Sequence, residues 1–146
     1  MARFLTDDDY SVLIRSEIKR LLAEDDGGPL PDKILKAEDM AIAQIKNYLA
    51  GKYDTAEIFR TDRPDQRNPH IVMTVIDMAL YHLYTSISPD KIPQHRSDRY
   101  QDAIEWLKAV ATGEVVADLP RKTSEDGEPF FGIKISSKYP PENNRW

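Results

Sequence analysis

The fold is decided by residues 68–113, which read NPHIVMTVIDMALYHLYTSISPDKIPQHRSDRYQDAIEWLKAVATG. Asn68 followed by Pro69 is typical of a helix start, because Asn caps free amides and Pro suits the first helical position. The helix that follows is apolar around more than half of its circumference, so neighbouring helices must cover it on several sides. Its remaining residues form a polar stripe: Thr74, Asp77, Tyr81, Tyr84 and Thr85. We therefore predict a central helix in an all-α domain.

The second half of this stretch predicts another helix. Ser88, Pro89 and Pro93 end the central helix, and a new apolar period runs from about residue 97 to residue 111 before Gly113. Its core face contains Tyr100, Ala103, Ile104, Leu107, Val110 and Ala111, and Trp106 lies at the edge of that face. Leu80 and Leu107 are the predicted core residues of the two helices.

Two further helices are predicted upstream, which gives a four-helix bundle-like domain. Thr6 before three aspartates predicts a capped helix start, and apolar residues then recur at spacings of three and four to about residue 23. A second amphipathic helix begins near Pro31 or Asp32 and ends at Gly51. Residues 52–67 lack a period and are interpreted as a polar loop.

The last thirty residues differ in composition. Prolines are scattered among small polar and charged residues, residues 124–127 favour a turn, and residues 130–135 favour the return strand of a small β-hairpin. We predict a helical domain over residues 1–116 and an extended C-terminal arm over residues 117–146. Its aromatic residues pack poorly unless a partner provides a groove: Phe130, Phe131, Tyr139 and Trp146. The alternatives are an arm folded back on its own bundle and a disordered chain end.

Composition excludes several classes of function. The chain has 146 residues, a formal net charge of −5 and no cysteine. A chain of this length fits one domain, and the absence of cysteine excludes disulfides and thiolate metal sites. The negative charge disfavours a tight DNA or RNA partner. No stretch approaches the roughly 18 consecutive apolar residues of a membrane span, so we expect a soluble, unexported protein.

Candidate catalytic groups are few. The three histidines are isolated in sequence, so we predict no zinc or di-iron site and no cofactor. His82 and Glu38 each fall on an apolar helix face, and a buried carboxylate has a raised pKa suited to proton transfer. The commoner interpretation is a satisfied packing histidine, and a carboxylate partnered by an Arg, a Lys or a hydroxyl group. We do not expect an enzyme, although a small helical enzyme using Glu38 or His82 stays an alternative.

Arg96, Arg99 and Lys108 alternate with Tyr100 and Trp106 along the last helix. Such a pattern is compatible with nucleic-acid binding, but neighbouring acidic residues dilute it, so a solvated helix face explains it better. Part of this face is a candidate subunit contact.

Three stretches in this order and spacing resemble the Mu-like prophage family of small head-completion proteins. They are IKNYLAGKY at residues 45–53, after Ala41, then DMALYHL at residues 77–83 and RYQDAIEWLKAVATG at residues 99–113. That family is similar to the head-tail connector, or neck adaptor, proteins of long-tailed phages. The resemblance covers about residues 4–116, and the tail after Leu119 falls outside it.

The resemblance implies an adaptor that forms a ring, expected to contain twelve copies, beneath the portal of the capsid. Such a ring extends the DNA channel, with DNA as non-sticking cargo, and docks the next neck or tail-completion protein. The expected location is the virion neck, and the host cytoplasm before assembly, where the chain is expected to be able to stay monomeric. The candidate subunit or portal contacts are Arg96, Arg99, Trp106, Phe130, Phe131, Tyr139 and Trp146. The remaining alternative is a bacterial adaptor module that binds another protein through the tail.

Overall fold

The computed structural model describes residues 3–23 and 30–123, which form an all-α domain, as predicted. This part of the chain contains five helices: α1 (Val12–Ala23), α2 (Leu30–Leu49), α3 (Thr55–Ile58), α4 (Pro69–Ile87) and α5 (Gln94–Thr112). Three short 3-10 turns lie between or before them: Asp7–Asp9, Pro64–Gln66 and Pro89–Lys91. The described residues contain no β-strand, and their single antiparallel bridge joins Tyr53 to Arg121.

Helix α4 is the central element, as its sequence predicts. Helices α2 and α5 pack along it, and α1 contacts it from another side. The side chains at the centre of this packing are almost wholly buried: Ile45, Leu49, Ile71, Met78, Leu80 and Leu107. Each buried aliphatic side chain contributes about 1.5–3 kcal/mol, so these contacts hold the domain together.

The predicted start of α4 at Asn68 and the predicted end of α5 at Gly113 are both confirmed. The Asn68 side chain accepts hydrogen bonds from the backbone amides of His70 and Ile71, at 2.9 and 3.1 Å. Gly113 ends α5 in the left-handed conformation, with φ of 89°, which glycine adopts without strain. Helix α5 begins at Gln94, three residues before the predicted start, because the Pro93 carbonyl already accepts from Arg96 and Ser97.

The first helix starts later than predicted. The segment Asp7–Asp9 is a separate 3-10 turn, and Tyr10 is extended, with φ of −87° and ψ of 124°. Ser11 then begins the new helix, because its hydroxyl group accepts from the amide of Ile14 at 3.2 Å. The predicted continuous helix is wrong because the Tyr10 side chain turns into the core, where it finds a buried partner.

The predicted polar loop over residues 52–67 is partly wrong. Asp54 caps the short helix α3 by accepting from the amide of Glu57 at 3.1 Å. The residues around this turn are buried: Tyr53, Ile58 and Phe59. Phe59 meets Phe4 edge to face, with ring centroids 5.0 Å apart, so the loop covers the N-terminal segment.

The first residues of the predicted arm pack on the helical domain. Ala117 and Leu119 are buried, and the Ala117 amide donates to the Tyr53 hydroxyl group at 3.1 Å. The Pro120 carbonyl accepts from Asp54, and the Lys122 amide donates to Lys52. The predicted hairpin lies outside the described residues, and the division into two domains stays a prediction.

Candidate functional site

Glu38 is sealed inside the domain. Its side chain is 2% exposed and accepts two hydrogen bonds from the Arg3 guanidinium, at 2.9 and 2.6 Å. The Tyr10 hydroxyl group donates to the same carboxylate at 2.5 Å. Burial and this hydrogen bond raise the pKa of Tyr10 above its usual range. The interpretation of Glu38 as a carboxylate with structural partners is confirmed, and these bonds fasten the N-terminal segment to α2.

A second fastening lies at the other end of the same segment. Arg67 donates two hydrogen bonds to the Asp9 carboxylate, at 2.6 and 2.9 Å, and a third to the backbone carbonyl of Phe4. Burial alone would raise the pKa of Asp9, but the hydrogen bonds from Arg67 and from the Thr6 backbone outweigh it, so the pKa lies below its usual value. Residues 3–10 are therefore held from two directions.

His82 is a packing residue with a hydrogen-bond partner. Its Nε2 atom is bonded to the side-chain oxygen of Gln44, whose amide nitrogen donates to the Tyr100 hydroxyl group at 3.1 Å. Burial lowers the pKa of His82, which favours the neutral ring, and the Gln44 oxygen beside Nε2 assigns the ring proton to that nitrogen. The Tyr100 ring also stacks on Tyr81, with centroids 4.1 Å apart, so this layer joins α2, α4 and α5.

Arg96 is buried, which the sequence did not predict. It is 7% exposed, and its guanidinium donates to both oxygens of Glu17, at 2.9 and 2.5 Å. The Tyr84 hydroxyl group donates to the same carboxylate at 2.5 Å. Burial alone would raise the pKa of Glu17, but the bonds from Arg96 and Tyr84 lower it, while burial and this contact raise the pKa of Tyr84 to about 12.

This cluster corrects the interpretation of Arg96 as part of a solvated helix face. The carboxylate that draws it inward lies 79 positions away in the sequence, on α1, so no local pattern indicated the contact. The predicted polar stripe of α4 is also largely internal, because Thr74, Asp77 and Tyr84 are buried. Arg96 therefore anchors α1 to α4 and α5, and any part it has in subunit contacts is indirect.

Arg99 and Trp106 border a groove between α4 and α5, here called the α4–α5 groove. Its lining residues are His70, Met73, Thr74, Asp77, Arg99, Asp102, Ala103 and Trp106, around a volume of about 170 Å³. Arg99 donates two hydrogen bonds to the Asp77 carboxylate, at 2.7 and 2.8 Å, although its own side chain is half exposed. That ion pair fixes the floor of the groove and leaves the remaining guanidinium edge near solvent.

The apolar wall of this groove is formed by Trp106 and Met73. The Trp106 ring meets His70 edge to face, with centroids 4.2 Å apart, and Met73 is 43% exposed. Trp and Arg are enriched at the centres of protein interfaces, and Met is more frequent in interfaces than on the rest of the protein surface. The volume lies well below the 300–1,000 Å³ of typical small-molecule sites, so the groove suits one or two side chains of a partner protein.

Two larger surface hollows are also present. One, of about 320 Å³, lies between residues 57–69 and 118–120, where Arg60 is paired with Glu57 and Asp62. The other, of about 400 Å³, lies between α1 and the end of α4, where Glu17 is already engaged by Arg96. Neither is lined by Glu38 or His82.

The described residues offer neither a metal site nor a membrane span. Residues 3–23 and 30–123 contain no group of three or more His, Asp or Glu side chains placed to hold a metal ion. No helix in the same part of the chain is both long enough and apolar enough to span a bilayer.

The predicted contact residues thus fall into three sets. Arg99 and Trp106 share the α4–α5 groove, and Arg96 lies inside the domain. The aromatic residues of the arm lie outside the described residues: Phe130, Phe131, Tyr139 and Trp146. Sequence reasoning missed His70 and Met73, although their position one turn apart at the exposed start of α4 was a usable signal.

The chain matches a protein-family model over most of its length. The family model described as "Bacteriophage Mu, Gp36" matches residues 5–131, which is most of the chain. The match extends beyond Leu119 and includes Phe130 and Phe131, so the sequence-based limit of the resemblance was too short. No curated protein and no solved structure matches the chain. The family match supports a phage protein with a structural or assembly role.

Proposed function

Because the chain belongs to the bacteriophage Mu Gp36 family, we propose that it is a head-tail connector protein. In this role it forms a ring beneath the portal, extends the DNA channel and docks the next neck or tail-completion protein. Its partners are other copies of itself, the portal and that neck protein. It is located in the virion neck after assembly and in the host cytoplasm before assembly.

The α4–α5 groove is the observation that carries this proposal. A connector must present a fixed surface to its neighbours, and the groove walls belong to α4 and α5, which pack on one another in the core. Its floor is fixed by the Asp77–Arg99 ion pair, and Trp106 is held against His70. A surface that is ordered before binding loses less conformational entropy on assembly.

The internal ion pairs support the same role. Glu38 holds the N-terminal segment, Glu17 holds α1, and both carboxylates are bound by an arginine and a tyrosine. These bonds make the described part of the chain a rigid wedge. The formal charge of −5 suits a DNA conduit, because a strongly basic lumen would retain the phosphate backbone.

We further propose that the protein has no catalytic role. Glu38, the most buried carboxylate in the described ranges, is bound by Arg3 and Tyr10 inside the domain and lines none of the three hollows. His82 is bonded to Gln44 in a packed layer. Both side chains are therefore engaged in structural contacts, which argues against the enzyme alternative.

The decisive experiment mixes the purified protein with portal rings from the same phage and images the product by electron cryomicroscopy. We expect a ring of additional density at the DNA exit of the portal, with a copy number equal to that of the portal, expected to be twelve. Trp106→Ala should weaken binding, and Met40→Ala is the matched control, because Met40 is 53% exposed on α2, away from the groove. Portal rings that stay bare with wild-type protein would contradict the proposal.

The arm is tested by truncation after Thr123. This boundary keeps the contacts of Pro120 and Lys122 with the domain, which a cut before residue 120 would remove. We expect the truncated protein to unfold at nearly the same temperature as the full chain but to bind portal more weakly. Unchanged portal binding would remove the arm from the proposed interface.

A further inference from the structure

Helix α1 presents an outer face that carries only positive charge. Its buried side consists of Ile14, Ile18 and Leu21, and its single carboxylate, Glu17, points inward to Arg96. Arg15 and Lys19 lie on the opposite side, and Arg20 borders the hollow between α1 and the end of α4; all three are exposed, in a protein whose net charge is negative. We call this surface the basic α1 face.

The basic α1 face also carries apolar side chains. Val12 is 70% exposed and Leu13 is 83% exposed, the largest exposed fractions among the large hydrophobic residues that are described. Within the same part of the chain, no ion pair links Arg15, Lys19 or Arg20 to a carboxylate. Exposed apolar side chains and arginine are both features of protein interaction surfaces.

Helix α5 presents the opposite charge. Asp98, Asp102 and Glu105 are exposed and follow one another at spacings of four and three, so they share one side of the helix. Its core side consists of Ala103, Leu107 and Val110. We call the three carboxylates the acidic α5 face, and it adjoins the α4–α5 groove through Asp102 and Trp106.

We propose that the basic α1 face of one copy docks on the acidic α5 face and the α4–α5 groove of the next copy. The inference rests on the proposed function, because it supplies the contact between neighbours in the ring. The three cations meet the three carboxylates, and Val12 and Leu13 cover Met73 and Trp106. Each copy uses two different surfaces, which is the head-to-tail arrangement from which rings are built.

Charge also decides against contacts between two like faces. Two basic α1 faces would place like charges opposite one another, and so would two acidic α5 faces, which is unfavourable in both cases. The only complementary pairing of these two surfaces joins α1 of one molecule to α5 of another. A second copy is therefore the occupant that the charges select.

The strength of such a contact fits assembly on a template. Exposed ion pairs are worth about 0–1 kcal/mol each and weaken with salt, so free copies associate poorly. Portal subunits that hold copies side by side raise their effective concentration and make the same contact sufficient. The ring therefore forms on the portal and not in free solution.

The test uses two charge reversals. One variant carries Arg15→Glu, Lys19→Glu and Arg20→Glu, and the other carries Asp98→Lys, Asp102→Lys and Glu105→Lys. Each alone should reduce ring formation on the portal by about tenfold or more, because each loses three pairs and gains repulsion. An equal mixture should restore the ring, since the acidic α1 of one variant then matches the basic α5 of the other in alternating order. A chain carrying all six changes should also form rings.

Several results would overturn the contact. One is a mixture that assembles no better than either variant; another is normal assembly by both variants separately. Ring formation could be lost only in the α1 variant, together with DNA binding or with the binding of single copies to the portal. That result would assign the basic α1 face to DNA or to the portal, respectively. Thermal unfolding of each variant separates these outcomes from misfolding.

A cysteine cross-link tests the contact without the portal and without charge changes. The chain has no native cysteine, so Leu13→Cys and Met73→Cys chains can be mixed at high concentration and oxidised. We expect cross-linked dimers between the two variants in low salt, and at least severalfold fewer when Leu35→Cys replaces Leu13→Cys. Equal yields in the two mixtures would overturn the contact. Wild-type protein that never binds portal would instead contradict the proposed function, while the cross-link still reports on the contact.

Discussion

Helix α4, of 19 residues, and helix α1, of 12 residues, are buried to very different extents. Helix α4 is covered on nearly all sides, and Leu80 at its centre is 2% exposed. Helix α1 buries one side and leaves Leu13 83% exposed on the other. The comparison teaches that the composition of α4 is set by packing in the core, whereas packing does not set the composition of the outer side of α1.

Polar groups extend this contrast. On α4 the buried Thr74, Asp77 and Tyr84 all have partners, since Thr74 bonds to a backbone carbonyl and Asp77 and Tyr84 join ion-pair clusters. On α1 only Glu17 is used in this way. Buried polar groups must be paired to be tolerated, and the exposed cations of α1 carry no such requirement.

The largest expected effect on the free energy of unfolding is the difference between the same Leu→Ala substitution made on α4 and on α1. Leu80→Ala should lower the free energy of unfolding by about 2–5 kcal/mol, because it leaves a cavity in the core. Leu13→Ala is the matched control on α1 and should change it by less than about 0.5 kcal/mol. Urea denaturation measures both values, and similar losses in the two variants would break the comparison.

A smaller effect is expected where α1 is anchored. Glu17→Ala leaves Arg96 and Tyr84 without their shared partner and should cost about 1–3 kcal/mol, because the carboxylate left to Arg96 among the described residues is Asp77, at 4.0 Å. Hydrogen exchange should accelerate in α1 and stay slow in α4. Ser16→Ala, at the neighbouring exposed position, should leave both helices unchanged. Uniform acceleration along the chain would show that α1 does not open separately.

Acid should weaken the same anchors. The pKa values of Glu17 and Asp9 lie below their ordinary values of 4.5 and 3.8, because bonds from Arg96 and Arg67 outweigh burial. Their stabilisation is present above the ordinary values and is lost as the pH falls through the lowered ones. The urea concentration at the midpoint of unfolding should therefore decrease as the pH is lowered below about 4.5. Glu17→Gln should make this decrease smaller. A Glu105→Gln control that flattened it equally would contradict the assignment.

The smallest effect is expected on the outer side of α1. Lys19→Glu should change the free energy of unfolding by less than about 0.5 kcal/mol, because Lys19 is exposed and has no ion-pair partner in the described part of the chain. Calorimetry of this variant beside wild type checks the value. A loss above 1 kcal/mol would mean that Lys19 contributes to the fold and would weaken its proposed use in assembly.

Several features could be predicted from the sequence because their causes are local. Asn68 and Gly113 mark helix ends through hydrogen bonds to residues within one turn. Helix α4 is apolar around most of its circumference, which required a central position in the domain. Glu38 was predicted to find an arginine, lysine or hydroxyl partner, and it binds Arg3 and Tyr10. The α4–α5 groove was half predicted, through Arg99 and Trp106.

Other features required the fold itself. Arg96 was predicted to face solvent, but Glu17 draws it inward from a distant helix. The first helix was predicted to include Asp7–Asp9, but Arg67 and Glu38 hold the surrounding residues in another conformation. The capping pattern of Asp54 and Glu57, followed by Ile58, was visible in the sequence and was overlooked.

By itself the sequence determined the all-α class, the central position of α4, its start at Asn68 and the end of α5 at Gly113. These follow from periodicity and capping, which act over a few residues. Only the tertiary structure decided which charges are internal and which remain exposed on α1 and α5. That division depends on contacts between residues tens of positions apart, and an ion pair leaves no periodic trace in the sequence.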